Sequence, residues 1–297
     1  DAGFIIDGNV SGAQKEYKIG VNTAVVSADL THSGPAGYRW LTGGAERMRI
    51  DSSGNVGIGV VPEAWFSSVD ALQVASSGAL FGRNNEDNRV GIASNAYETA
   101  SNTWKRIGNS GSAYANLYET DNGAHKFKVA AAGAADSAIN WTTALTIDGA
   151  GIVTKPKQPS FVAKAEGGWR VIPTASTKAA FSNQILDTNN DFNPSTYLFT
   201  APVSGVYAFT FQSYTRRTSG GTGDYMYKAF LINGALPSTF TETILHYADH
   251  AAGDLGTSLT AIFSLSANDT VAAATRASST NCAYHSQSST FAGYLIG

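Results

Sequence analysis

The chain has 297 residues, 14% of them charged, with 31 glycines and a formal net charge of −3, a composition of short strands and turns where an average soluble domain is roughly 25% charged. Residues 1–156 carry 12 Lys+Arg against 15 Asp+Glu and residues 157–297 carry 8 against 8, so neither half has the basic stripe that a nucleic-acid backbone requires. Cys282 is the only cysteine, which excludes an internal disulfide and a Cys/His zinc cluster.

No apolar run of about 18 residues is present, so no membrane insertion is expected of this piece, and a start at Asp1 instead of Met reads as part of a longer protein. In chain order, the first feature is a weak repeat. Ile50-Asp51-Ser52-Ser53-Gly54-Asn55-Val56, Val74-Ala75-Ser76-Ser77-Gly78-Ala79-Leu80 and Ile147-Asp148-Gly149-Ala150-Gly151-Ile152-Val153 share one frame: apolar, three small or polar residues, Gly, any residue, apolar. The frame predicts hairpins whose Gly takes φ > 0. Such short hairpins do not stand alone in water, and three copies closing around one axis would supply the missing cover.

Between the second and third copies, Gly/Ser/Asn turns separate strand-like pieces at residues 104–107, 125–129 and 139–146. They predict a small antiparallel module inserted at about residues 83–147. No helix of useful length is expected here; the Ala-rich piece 130–138 comes nearest to one, and its two flanking Gly/Asp turns argue against it. At KPKQPSF, residues 155–161, prolines, lysines and the last Gly-turn copy coincide, which divides the chain into a shaft, residues 1–156, and a head, residues 157–297.

In the head, Tyr207, Phe209 and Phe211 alternate on one face, as do Leu259, Ala261, Phe263 and Leu265, the period of a two-sheet sandwich or jelly roll. Connections at residues 201–205, 233–237 and 266–270 read as tight turns; those at residues 215–224, 246–256 and 275–289 read as long loops. Alternating connections fall at opposite ends of an antiparallel sandwich, so the long loops gather at the end away from the shaft.

Phe181, Asp187, Phe192, Phe199, Gly205, Tyr207, Phe209 and Phe211 stand at the spacings F-x5-[ND]-x4-[FYWL]-x6-F-x5-G-x-Y-x-F-x-[FY], and the chain closes on TFAGYLIG. Residues 158–297 thereby resemble the globular head domain of complement component 1q. AERMRIDSSGNVGIG, residues 45–59, and WTTALTIDGAGIV, residues 141–153, resemble the turn motif of bacteriophage tail-fibre shafts. The resemblance implies an all-β protein, a trimeric β shaft carrying a ten-stranded jelly-roll head that assembles as a homotrimer. It implies a non-enzymatic receptor-binding protein at the tip of a phage tail fibre in the virion, with a host surface glycan or outer-membrane protein and upstream fibre or tail proteins as partners. A structural trimerisation cap and a glycan-hydrolysing tailspike are the alternatives. Some members of the complement family bind calcium near the trimer apex; no acidic cluster here carries that over, and neither metal nor cofactor is expected.

The expected receptor surface is Tyr214, Arg216, Arg217, Tyr225, Tyr247, His250, Arg276 and Tyr284, since Tyr and Arg at a solvent-facing tip are the residue types that concentrate binding energy. His246, Asp249, His250 and Asp254 read as a solvated polar loop and not as ligands. Cys282, beside Tyr284 and His285, reads as a packing residue in place of a nucleophile. A hydrolase would need paired carboxylates about 5 to 9.5 Å apart, and nothing in the sequence brings Asp191 and Glu242 together as such a pair.

Overall fold

The computed structural model of the protein describes residues 4–6, 17–19, 37–42, 45–84, 88–108, 113–218, 224–237 and 254–297, and among these there is no helix. Two short strands, β1 (Phe4–Ile6) and β2 (Tyr17–Ile19), pair antiparallel. The strands β3 (Tyr38–Thr42), β4 (Ala45–Ile50), β5 (Val56–Ile58), β6 (Val69–Val74), β7 (Gly78–Arg83) and β8 (Val90–Ser94) follow one another through a single sheet. A hairpin of β9 (Tyr97–Ala100) and β10 (Thr103–Lys105) stands apart from it. The sheet then continues with β11 (Ala115–Asp121), β12 (Ala124–Ala130), β13 (Thr142–Ile147) and β14 (Val153–Thr154), ten strands in all. The strands expected to form an inserted module at residues 83–147 therefore extend the same sheet, with only β9–β10 outside it. Pairing of β8 with β11 across the hairpin joins the two stretches.

The repeat is a side-chain-closed turn. The Asp51 carboxylate accepts the Ser53 and Asn55 backbone N–H groups, and that of Asp148 accepts those of Ala150 and Ile152. Gly54 and Gly151 then take φ of 91° and 82°, where a Cβ is strained. The second copy lacks the aspartate and departs from the expectation: Ala75 takes the positive φ, 51°, while Gly78 simply opens β7.

One face of the sheet, through Phe81 and Leu117, packs on the aromatic rings of Trp65, Tyr97 and Trp104. Charge is buried beside them. Glu98 takes Arg83 at 2.7 Å and Arg89 at 3.5 Å, Arg89 takes Glu119 at 2.7 Å, and Lys128 closes on Glu119. The Ala-rich piece is not helical because its carbonyls are committed elsewhere: buried Arg106 donates to Ala131 O at 2.5 Å and Ala138 O at 2.8 Å.

The other face carries large apolar side chains in register. Tyr38, Ile50, Val56, Leu72, Leu80, Ile92, Tyr118, Phe127 and Leu145 are successive direct partners from β3 to β13. Directly opposed residues share a face, so they form one row. A second row runs Trp40, Met48, Ile58, Val74, Gly78, Ser94, Asn116, Val129 and Thr142. Neither row contains a charged residue, whereas Glu119, Lys126 and Lys128 fall on the covered face.

After residue 159 the strands form a two-sheet jelly roll. They are β15 (Ser160–Lys164), β16 (Trp169–Val171), β17 (Thr177–Lys178), β18 (Asn183–Asp187), β19 (Phe192–Asn193), β20 (Leu198–Thr200), β21 (Gly205–Arg217), β22 (Met226–Ile232), β23 (Asp254–Leu265), β24 (Thr270–Ala277) and β25 (Cys282–Leu295). One sheet has the order β18-β15-β25-β21-β23 with β16 also on β25; the other is β17-β24-β20-β19 with β22 on β24. Because β15 and β16 pair with the same strand, they count as one interrupted strand and the total is the expected ten.

Each residue of the spaced signature has a physical task here. Phe181, Phe199, Tyr207, Phe209 and Phe211 are completely buried, with Phe192 among them, and fill the space between the sheets. Phe161 stacks on Phe192 at 4.9 Å and on Phe199 at 5.0 Å. The Asp187 carboxylate accepts the N–H groups of Asn189, Asp191 and Phe192 and so shapes the turn before β19. Tyr207 donates its hydroxyl to Val203 O at 2.7 Å, fixing the turn that leads into its own strand. Gly205 and, in the closing strand, Gly293 leave room for Leu295 and for the Phe209 ring, from which a Cβ at 293 would stand only 2.4 Å.

The expected tight turns at residues 201–205, 233–237 and 266–270 meet at one end of the sandwich, where Asn268 N–H donates to Ala201 O and Thr270 N–H to the Asn233 side chain. The third expected long loop is not a loop. Only residues 278–281 connect β24 to β25, so Arg276, Cys282, Tyr284 and His285 are strand residues. Tyr214, Arg216 and Arg217 are likewise in β21. Residues 246–253 of the second expected loop lie outside the described residues.

Candidate functional site

The expected receptor residues divide into four groups according to which way their strands turn them. Tyr214 and Arg216 alternate outward from β21 and meet Trp169 of β16 and His285 of β25. The Arg216 guanidinium lies 3.8 Å over the Trp169 ring, Tyr214 is 5.7 Å from that ring, and His285 meets it edge-on at 5.0 Å. A guanidinium stacked so closely on indole is a cation–π pair.

Arg217 and Tyr284 point the other way, into the sandwich. The Tyr284 side chain is 4% exposed and its hydroxyl accepts the Ala180 N–H at 3.3 Å; burial pushes its phenol up from the ordinary tyrosine value. Arg217 is 6% exposed and lies 3.1 Å from the Asp224 carboxylate. Both were expected at a solvent-facing tip, and the two-residue period of β21 and β25 places them inside.

Tyr225 and Arg276 form the third group, on the outer face of the other sheet. Arg276 pairs with Tyr227 across β22 and β24, its guanidinium 4.4 Å over the ring, and Tyr225 stands 6.4 Å from Tyr227. Tyr227 escaped the sequence reading although it lies two residues from Tyr225, the spacing that puts both on one face of a strand. This cluster sits at the end where residues 218 and 281 are bonded and Tyr225 N–H meets Ser278, opposite the tight turns and the last residue. Tyr247 and His250, the fourth group, lie outside the described residues, as do His246, Asp249 and Glu242.

Cys282 and His285 cannot act as a pair. Cys282 faces inward at 1% exposure, its thiol pushed up by burial, while His285 faces outward and shares Nδ1 with the Ser288 hydroxyl at 3.1 Å. Burial, then the neighbouring Asp187, raises the Asp191 carboxyl. Among the described residues no three His, Cys, Asp or Glu side chains group as a metal site would need, and no helix is long and apolar enough to cross a membrane.

The interior at this end of the sandwich is polar. Lys228 is 3% exposed, its Nζ donates to Thr257 O at 2.5 Å and lies 5.1 Å over the Phe211 ring. Burial lowers its ammonium from 10.5 to about 7. Between those two values the unfolded chain binds more protons than the folded one, so stability rises with pH there, by up to ~1.4 kcal/mol per pH unit. Lys228→Met should flatten that rise between pH 7 and 10 without lowering the melting temperature at pH 7, since an apolar side chain of similar length relieves the buried amine. Scanning calorimetry of the two proteins across that range checks it, and an unchanged pH slope would assign the slope to other groups.

The described residues of this half form a two-sheet jelly roll with an aromatic interior. Residues 161–296 match the family model described as "C1q domain", and that part of the chain has the C1q and tumour necrosis factor-like jelly-roll fold. The globular domain of zebrafish complement 1qA is similar at 20% identity, over 48% of this chain and 98% of its own, with a TM-score of 0.34. Murine APRIL is similar at 12% identity, over 47% of this chain and 100% of its own, with a TM-score of 0.32. No curated protein matches the chain. C1q-like domains typically form homotrimers and are generally non-enzymatic binding domains.

Proposed function

We propose that the protein is the receptor-binding tip of a bacteriophage tail fibre, a homotrimer in the virion with a shaft over residues 1–156 and a head over residues 157–297. The head attaches to a host bacterial surface receptor, a glycan or an outer-membrane protein, and catalyses nothing. The observation that carries this reading is the Tyr225–Tyr227–Arg276 cluster, two aromatic rings and a stacked guanidinium together on the outer sheet at the end remote from residue 158. Such groupings are where binding energy concentrates, and aromatic faces suit sugar rings. The tail-fibre setting is supported by AERMRIDSSGNVGIG and its later copy, whose Asp-closed turns share one construction.

The head assembles through the outer face of its larger sheet. Tyr294, Ala208 and Ile262 are direct partners there, as are Leu186, Val162, Ala292, Thr210 and Thr260, and Tyr294 and Ile262 are more than half exposed in the single chain. This leaves the sheet bearing Tyr225, Tyr227 and Arg276 facing outward in the trimer. The variant Tyr225→Ala/Tyr227→Ala/Arg276→Ala should lose attachment to host cells by at least about tenfold, each anchor contributing on the order of 1 kcal/mol in each of three copies, with mass and melting unchanged. Unchanged attachment would favour the structural cap, and release of sugar from host polysaccharide by the purified protein would favour the glycan hydrolase.

A further inference from the structure

We infer that the uncovered face of the ten-stranded sheet is the contact through which three copies of the shaft pack on one another, an inference that rests on the homotrimer proposed above. The two rows that run across nine strands, from β3 to β13, leave Leu80 48%, Ile92 58% and Phe127 44% exposed in the single chain. Val56, Leu72, Leu80 and Val90, with Asp70 at its edge, line an open groove of about 370 Å³ on it. Water is the wrong neighbour for such a surface. A third row, through Asp70, Gly82, Val90, Thr120, His125, Ile147 and Val153, brings the face to roughly 40 Å by 20 Å at ordinary strand and residue spacings, about 800 Å², with Asp70 the one carboxylate in these rows, at their margin.

That area identifies the occupant. About 800 Å² per partner is what a stable protein interface buries, and nine apolar or aromatic residues in the first row with five in the second give this face an apolar centre of the kind such interfaces have. The two main rows hold no charge to select a partner of opposite sign, so the face complements another copy of itself. Continuity points the same way: β14 ends at Thr154 and β15 of the jelly roll begins at Ser160. Three heads held together would therefore present three of these faces to each other at high effective concentration. Packed inward around one axis, they form a shaft whose interior is these rows and whose exterior is the charged, Trp-backed side.

Thiol labelling of the full chain tests this, because the native Cys282 is buried and silent. Ile92→Cys should react with a bulky maleimide at least about tenfold more slowly than Ser53→Cys in an exposed turn, as burial in a stable interface demands, with a trimeric mass by light scattering. Val90→Cys is the second reporter if Ile92→Cys fails to assemble, and it should be protected likewise. Equal labelling rates at 53 and 92 in a trimer would overturn the sheet contact and leave the head trimer standing. Protection at 92 in a monomer would assign the cover to the chain's own segments and equally overturn it. A monomer labelled freely at both positions would remove the homotrimer as well.

Discussion

Glu98→Ala should destabilise the N-terminal half by about 3–5 kcal/mol, the cost of breaking a buried ion pair by removing one partner. Glu98 is completely buried, and its Oε1 accepts Arg83 at 2.7 Å and the Asn102 N–H at 2.6 Å. Arg89 keeps Glu119 after the change, but the Arg83 guanidinium, its side chain 3% exposed, loses the Glu98 carboxylate and keeps the Ser101 hydroxyl at 3.3 Å. Glu98→Gln retains an acceptor for the Asn102 turn and loses only the charge, so it should cost less. Trp40, Trp65, Trp104 and Trp141 lie in this half and only Trp169 in the other, so denaturation followed by tryptophan fluorescence reports it. A loss below about 1 kcal/mol for Glu98→Ala would mean that solvent relaxes into the site and that the pair is worth no more than a surface one.

How much of this was legible beforehand depended on whether the deciding interaction is local. The Asp51 and Asp148 turns announce themselves because a carboxylate closing on N–H groups two and four residues later is written in consecutive residues. The C1q signature is legible because its buried rings recur every second residue along one strand, Tyr207, Phe209, Phe211. The run STNCAYHSQSS, by contrast, has the composition of a loop, yet from Cys282 onward it is the first half of β25, a strand between β15 or β16 on one side and β21 on the other. There Ser286 donates its hydroxyl to Gly168 O, and Ser289 to His285 O, so small polar residues are buried without penalty, and the neighbours decide what propensity does not. Misreading that run put Tyr284 at the tip. The same non-local pairing, β8 to β11, hid the unity of the ten-stranded sheet.

Phe209→Ala should cost the head about 3–5 kcal/mol, the range for removing a large ring from a core that cannot collapse around the space. Phe209 is completely buried and packs against Phe199 at 5.4 Å, Phe230 at 6.0 Å, Phe291 at 6.1 Å and Phe263 at 6.2 Å. These rings come from β20, β22, β25 and β23, members of both sheets, so the cavity opens between layers held apart by their remaining side chains. Gly293 stands directly over the ring with no Cβ to fill the void. Phe209→Leu, which keeps most of the volume, should cost clearly less. Calorimetry of the head transition distinguishes them. Since Tyr225, Tyr227 and Arg276 lie on the far side of β22 and β24, Phe209→Leu should keep host attachment at low temperature while melting earlier. Attachment lost in step with stability for this variant would show that the outer cluster depends on the aromatic interior for its geometry.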